Sequence, residues 1–347
     1  MDKAWRQNST IWSKHRRGLV VLALPAMVAG ALALTVPQAQ AQAQSADYPS
    51  RPVSFVVAYT PGSANDILAR ILAPELAINL GQNVVVENKP GAGGSIGVGL
   101  VARAKSDGYT LGLVSTSTMA INPAIYRSVP YDPIKDFAVV IKLATTPNIL
   151  TVPGKSPVAS TQDLIRRMKS KENEVQYGSS GNGTAQHLEA ALMAKVVGGR
   201  AEHVPYRGPA EQLIALVAGQ VDFGFFALPA ALAYVRDGRL RALGITTLAP
   251  SELLPSVPSL SSAGLEGFDK TGIWWGVAVP SGTPDAVVQT LHRGFTKTLA
   301  SPTVRAALAA AGFDPAPPAP TTEFTQFVRD QIRFWADTVK TTGASVN

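Results

Sequence analysis

Two lobes, each a mixed, mostly parallel sheet flanked by helices, are predicted by three observations. From residue 50 onward, short β-like apolar runs alternate with helical stretches, the pattern of α/β proteins whose strands are joined by crossover helices. The alternation comes in two blocks, interrupted at Thr145-Thr146-Pro147. The roughly 300 residues involved exceed what one hydrophobic core usually serves.

The first block opens with "VSFVVAY" (53–59), which reads as a buried strand. Ile67, Leu68, Ile71, Leu72, Leu76 and Leu80 then recur at helical spacing, so 65–80 is a helix. Pro74 removes one backbone donor from it and predicts a kink. "NVVVEN" (83–88) is a second strand, "SIGVGLVARA" a helix and "YTLGLVST" (109–116) a third strand. "DFAVVIKLATTPNILTVPG" (136–154) holds two apolar runs. The second block continues with a helix over 161–171, strand "VQYGSS" (175–180), a helix over 184–197, strand "AEHVPY", helical "PAEQLIALVAGQ", strand "VDFGFFAL" and "LRALGITT" (240–247). A Pro/Ser-rich stretch, 249–262, reads as a linker or hinge-side loop. Strand "IWWGVAVP" (273–280) and amphipathic helices over 284–300, 302–311 and 321–340 follow. The expected boundaries are 1–46 for a leader, 47–144 for lobe 1, 145–249 for lobe 2 and 250–347 for the return to lobe 1.

The leader has its own character. A basic head (Lys3, Arg6, Lys14, Arg16, Arg17), the uncharged "LVVLALPAMVAGALALTV" and the A-x-A patterns of "AQAQAQSA" form the three-part layout of a secretory signal peptide. A membrane anchor is the alternative, because the run approaches the ~18 residues a span needs. Pro25, Gly30 and the alanine-rich exit favour cleavage. Five of the 31 basic residues and one of the 24 acidic ones lie in this leader, which leaves 26 against 23 beyond it. The high pI therefore says little about nucleic acid, and no basic tract follows residue 46. The chain has no cysteine, which excludes disulfides, thiolate zinc sites, cysteine nucleophiles and covalent c-type haem.

Several enzymatic and cofactor motifs fail on spacing. "GAGGSIG" (91–97) has Ile96 where a dinucleotide fingerprint needs glycine. "GSSGNGT" (178–184) lacks the P-loop lysine, and Asn182 breaks G-x-S-x-G around Ser180. "HLE" (187–189) resembles half of a zinc-deaminase signature whose other half needs cysteines. His187, His203 and His292 fall on three separate elements with no metal spacing, so each is expected to be structural. No catalytic residue, metal or cofactor is expected.

Anion cradles remain. Ligands of open α/β sheets bind beyond the carboxyl ends of strands, which singles out the turns at 60–65, 115–118, 179–184, 206–210 and 226–229. A helix N-terminus presents unpaired N–H groups and a partial positive charge, and so holds a carboxylate without any basic side chain. "TPGSAND" forms one such end, with Ser63 and Asn65 as small polar caps, and "SSGNGTAQHL" forms another in the second block. Gly62, Gly181 and Gly183 let backbone amides approach a ligand closely.

"YPSRPVSFVVAYTPGSAND", "VVVENKPGAGGSIG", "DGYTL", "INPAIY", "PYDPIKDF", "YGSSGNGTAQHL", "HVPYRG", "GQVDFGF", "GRLRALGITT", "WWGVAVPSGTP" and the W-x-x-x-V of "FWADTV" stand in the order of the Bug/TctC family. These are periplasmic solute-binding receptors of tripartite tricarboxylate transport. The resemblance covers residues 48 to about 340. It implies an α/β type II periplasmic-binding-protein (Venus flytrap) fold with two crossover strands. It also implies a ligand carboxylate held by backbone amides and water at the first strand-helix turn and the second-lobe glycine turn. The implied ligand-binding set is Tyr59, Pro61, Gly62, Ser63, Ala64, Asn65, Asp66, Ser115, Ser179, Ser180, Gly181, Asn182, Gly183, Thr184, Tyr206 and Phe226. Two departures bear on the ligand: Ser63-Ala64 follows Gly62 where the family usually has a second glycine, and apolar Phe226-Ala227-Leu228 replaces an acidic residue often found after "VDFGF". An apolar wall of Tyr59 and Phe226 suits an aromatic or otherwise apolar carboxylate.

The expected function is capture of a small organic carboxylate in the periplasm and its delivery, by a monomer, to membrane transporter subunits of the tripartite tricarboxylate type. No nucleic-acid partner is expected. The alternatives are a solute sensor that presents ligand to a signalling partner and an exported hydrolase, for which a nucleophile-base pair in the cleft is the discriminating feature.

Overall fold

A computed structural model describes residues 48–170 and 174–343; the leader and its cleavage window lie outside the described residues. The chain runs through β1 (Val53–Val57), α1 (Ala64–Leu80), β2 (Val84–Asn88), α2 (Ser95–Ala102) and β3 (Thr110–Ser115). A π-helical turn (Ser117–Ile121) then leads through a short helix (Asn122–Ile125) to β4 (Phe137–Thr146) and β5 (Asn148–Pro153). Next come α3 (Thr161–Lys169), β6 (Gln176–Ser179), α4 (Ala185–Val197), β7 (Glu202–Pro205), α5 (Pro209–Val217), β8 (Phe223–Ala227), α6 (Leu228–Arg236) and β9 (Leu240–Ile245). The chain then passes through β10 (Ile273–Pro280), α7 (Asp285–Ala300), α8 (Pro302–Ala311), β11 (Asp314–Pro315) and α9 (Thr321–Thr342).

The strands form two sheets, one in the order β11-β4-β10-β3-β1-β2 and the other β7-β6-β8-β5-β9. β1 is parallel to β2 and β3, and β6 to β7 and β8, as crossover helices require. β10 is antiparallel to β3 and β4, and β5 is antiparallel to β8 and β9. The parallel share is therefore smaller than the sequence suggests, for a topological reason. In each sheet the strand that arrives from the other sheet runs against its neighbours.

The outward crossing is one extended segment broken only at Pro147, which has no N–H for a ladder. It is held beside the return path: Asn148 N donates to Thr246 Oγ1 (2.9 Å), Thr246 N donates to Asn148 O (3.0 Å), and Thr146 pairs with Ile273.

Alternate strand residues serve opposite faces of each sheet. In β8, Phe223 and Phe225 pack with Leu164, Met168 and Met193, whereas Phe226 packs with Leu213, Leu216 and Leu232. In β1, Phe55 meets Phe295 of α7 edge to face, while Val56 lies in a cluster with Val98 of α2.

Three elements differ from the sequence reading. α6 was not anticipated, because its apolar residues follow β8 without a polar break; Pro229 in its first turn is the start signal. The stretch 249–262 is not a free linker: Leu254 and Val257 pack beside Ile245, and Leu260, with Leu265 and Phe268 beyond it, beside Phe225. Near its end the backbone brackets Ile245, with Ile245 N donating to Pro258 O and Leu260 N donating to Ile245 O. Pro74 lies on the exposed side of α1, and the helix continues through it as one element from Ala64 to Leu80.

Candidate functional site

The turn after β1 is built around a buried carboxylate. Asp66 accepts from Gly62 N (3.0 Å), Arg70 Nε (2.9 Å) and Asn88 Nδ2 (3.0 Å), and its own N–H donates to Ser63 Oγ (3.2 Å). Burial would raise its pKa, but Arg70, Gly62 and Asn88 outweigh burial and hold the carboxyl below its usual range. Ser63 N donates to Thr60 O. The N–H groups of Gly62 and Ser63 are therefore committed inside the turn, and the first-turn amides of Ala64 and Asn65 are the ones left to a ligand. Trp275 Nε1 donates to Asn65 Oδ1 (2.8 Å), which spends that acceptor and leaves the Asn65 NH2 as a donor. Ser63→Ala removes the cap of α1. It should lower stability by about 1 kcal/mol, read in a urea titration, without a comparable loss of ligand affinity.

The turn after β6 is equally self-contained. Gly181 and Gly183 have φ values of 122° and 77°, which other residues rarely adopt. Thr184 caps α4 by accepting from His187 N, and it donates its hydroxyl to Gly181 O (2.8 Å). Ser179 Oγ accepts from Gly181 N (3.2 Å) and stands 2.6 Å from His203 Nε2.

These turns face each other across a cleft. Tyr59, Ala64, Asn65, Ser115, Ser117 and Trp275 line it on one side, with Ser180, Gln186, Pro209, Gln212, Phe226 and Ala230 on the other. No Lys, Arg, His, Asp or Glu is among its lining residues. Burial raises the pKa of the Tyr59 phenol, which stays neutral and donates to Gly93 O (2.9 Å). Outside this level Gly181, Asn182 and Tyr206 border a wider hollow of about 510 Å³ with Thr60, Gly93, Tyr126 and Arg207. Two hydrogen bonds join the sides, Tyr126 Oη to Asn182 O (2.6 Å) and Ala185 N to Ser117 Oγ (3.2 Å). With them in place the inner space is only about 30 Å³, room for a water molecule.

Of the residues anticipated from sequence, Tyr59, Ala64, Asn65, Ser115, Ser180 and Phe226 line the inner cleft, and Gly181, Asn182 and Tyr206 line its mouth. Ser63, Asp66, Ser179, Gly183 and Thr184 are buried in the frames of the two turns, while Pro61 and Gly62 are exposed on the outer side of theirs. The set read from sequence lacks Ser117, Gln186, Pro209, Gln212, Ala227, Ala230, Ile273 and Trp275. Ser117, Pro209 and Ala227 were within reach, since they lie in the turns at 115–118, 206–210 and 226–229.

His187 and His203 come from separate elements, yet their rings stack at 4.0 Å, with Tyr177 stacked 4.9 Å from His203. Burial pushes His187 down to about 4; burial, reinforced by the charge of His187, pushes His203 down to about 3. Ser179 and His203 make a serine-histidine contact, but the Ser179 side chain is fully buried and absent from the cleft lining. Among the described residues no carboxylate bonds the other nitrogen of His203, and no cluster fit for a metal ion occurs. Where the crossings meet, Glu189 is fully buried: Asn148 Nδ2 lies 2.7 Å from each of its oxygens and Thr271 Oγ1 2.8 Å from Oε1. Burial pushes this carboxyl up to about 8.

Solved structures of the same architecture are known. Periplasmic binding protein BugD is 30% identical, with a TM-score of 0.82 over 86% of this chain and 99% of its own. A Rhodopseudomonas palustris protein solved with adipate is 33% identical, with a TM-score of 0.82 over 86% of this chain and 99% of its own. MatC of the same organism, with bound malate, is 30% identical, with a TM-score of 0.80 over 84% of this chain and all of its own. Residues 68–344 match the profile of the tripartite tricarboxylate transporter family receptor, TctC. The chain is a TctC solute-binding receptor with the two-lobed periplasmic-binding-protein fold.

Proposed function

We propose that this receptor closes on a small organic carboxylate in the periplasm and delivers it to membrane subunits of a tripartite tricarboxylate-type transporter. One observation carries the reading: two strand-to-helix turns, one from each side, flank a cleft whose lining includes no formal charge. Such a site holds an anion by amide and hydroxyl donors and helix N-termini alone. The amides of Ala64 and Asn65 with Ser115, Ser117 and Ser180 are the donors assigned to the carboxylate. Tyr59, Phe226 and Trp275 supply aromatic surface for the rest of the ligand, which suits an apolar or aromatic skeleton. The adipate and malate found with two relatives support a carboxylate as the ligand class. Because the joined cleft has room for a water molecule only, the lobes part to admit ligand and close over it.

A thermal-shift screen over mono-, di- and aromatic carboxylates tests the reading. A ligand at about 100 times its dissociation constant adds about 2.7 kcal/mol to stability, and a screen with no stabilising carboxylate would refute it. Export is checked separately: the mature protein should begin between Gln42 and Asp47, as read by N-terminal sequencing of periplasmic material. An intact Met1 in the membrane fraction would favour the anchor.

A further inference from the structure

Gln212 is fully buried in α5 and lines the second-lobe side of the cleft. Its Nε2 donates to two main-chain carbonyls, Gly178 O (2.9 Å) in β6 and Phe225 O (3.2 Å) in β8. Both partners are acceptors only, so the amide cannot be turned over without setting oxygen against oxygen. With Nε2 engaged by the sheet, Oε1 is the part of the amide left to the cleft, and it is a buried acceptor with no donor. Buried polar atoms are rarely left in this condition. On the same side of the lining Phe226, Ala227, Ala230 and Pro209 offer no side-chain donor, and Ser180 and Gln186, which carry donors, do not bond Oε1.

We infer that Gln212 Oε1 is a specificity-determining acceptor, and that the ligand carries an O–H or N–H donor at its end facing the second lobe. This rests on the carboxylate reading above and narrows it. The ligand is a carboxylate with a hydroxyl, primary amide or ammonium group at the far end, and not one ending there in a methyl group or an ionised second carboxylate. An ionised carboxylate would set its oxygens against Oε1 in a cleft without a cation among its lining residues. A methyl end would leave Oε1 dry and unpaired, and sites built to bond a polar group discriminate strongly against analogues that lack it.

The test uses the mature protein and matched pairs of straight-chain carboxylates over a range of lengths: an ω-hydroxy acid against the acid with methyl in that place, and a monoamide against the corresponding dicarboxylate. Isothermal titration of each pair at the best-fitting length should favour the donor-bearing member by roughly ten- to a hundredfold, the range for one buried hydrogen bond whose loss strands its partner. Gln212→Leu should collapse that preference by favouring the methyl analogue while leaving the requirement for a carboxylate intact. If this variant does not fold, the wild-type pairs decide alone. Carboxylates that bind without preference for the donor would overturn the inference, since water would then serve Oε1, and would leave the carboxylate reading standing. If no carboxylate binds at all, that reading falls and the inference with it.

Discussion

Gly93→Ala should hold the cleft open and weaken ligand capture at least tenfold in a protein that still folds. A Cβ on Gly93 would lie 2.6 Å from Asn182 O, across the cleft, and 3.2 Å from Tyr126 Oη. Asn182 O is a main-chain atom of the facing turn and cannot swing aside as a side chain would. Separation of the two sides is the available relief. The φ of 60° at Gly93 adds local strain of about 1–2 kcal/mol for alanine. A ligand that binds only the closed form loses apparent affinity in proportion to the population of that form, tenfold for each 1.4 kcal/mol or so. Small-angle scattering should show the wild type shrinking when a ligand from the screen is added and the variant staying expanded. Gly183→Ala should act alike from the other side, where its Cβ would meet Tyr126 Cε2 at 2.6 Å and Asn122 Oδ1 at 2.7 Å. Wild-type affinity in both variants would show that capture does not require these turns to meet.

Stability should peak near pH 6.5, between two opposed titrations. His187 and His203 are held neutral in the fold, at about 4 and about 3, against an ordinary 6.5. The unfolded chain binds protons first, so the stability these rings contribute is complete above 6.5. It is lost as pH falls towards their folded values, at no more than about 1.4 kcal/mol per pH unit for each ring. The loss is smaller for His203, which is partly exposed. Glu189 has the opposite sign. Its carboxyl is raised from 4.5 to about 8, so its contribution is complete below 4.5 and is lost as pH rises to 8. The geometry suits the neutral acid, because Thr271 Oγ1 is also 2.8 Å from Phe268 O and can donate there while accepting the Glu189 proton. Thermal midpoints from pH 4.5 to 8.5 should fall on both sides of the maximum. Glu189→Gln should flatten the alkaline limb and steepen the acid one, where the two titrations overlap, and His203→Phe should ease the acid limb. A wild-type profile flat across this range would refute both assignments.

How much of this was legible follows from what each feature depends on. Periodicity alone placed β10 at its observed bounds and put three helices near the C-terminus, because burial on one face imposes a repeat that a single chain displays. α6 escaped because its repeat merges with that of β8. The two turns were legible as helix N-termini, since glycine and small caps are local requirements. Which amides remain to a ligand was not, because Asp66 reaches back four residues to claim the Gly62 N–H and Thr60 takes that of Ser63. Gln212 reads in the sequence as one polar residue of an amphipathic helix, and only the stacking of α5 on β6 and β8 turns it inward. The meeting of Ser179 with His203, and of Glu189 with both crossings, likewise joins residues that are remote in sequence.

A cleft lined only by neutral groups has a consequence for the medium in which the receptor works. Attraction between full charges fades as ionic strength rises, because mobile ions gather around each partner. Amide and hydroxyl dipoles act at contact distance, inside a closed cavity from which salt is absent. On the proposed reading the hold on the ligand is thus largely indifferent to the saltiness of the surroundings. Arg207 and Glu211 at the mouth are the charged groups whose opposite effects on an approaching anion are subject to screening. Salt therefore bears on the arrival of the ligand much more than on its retention.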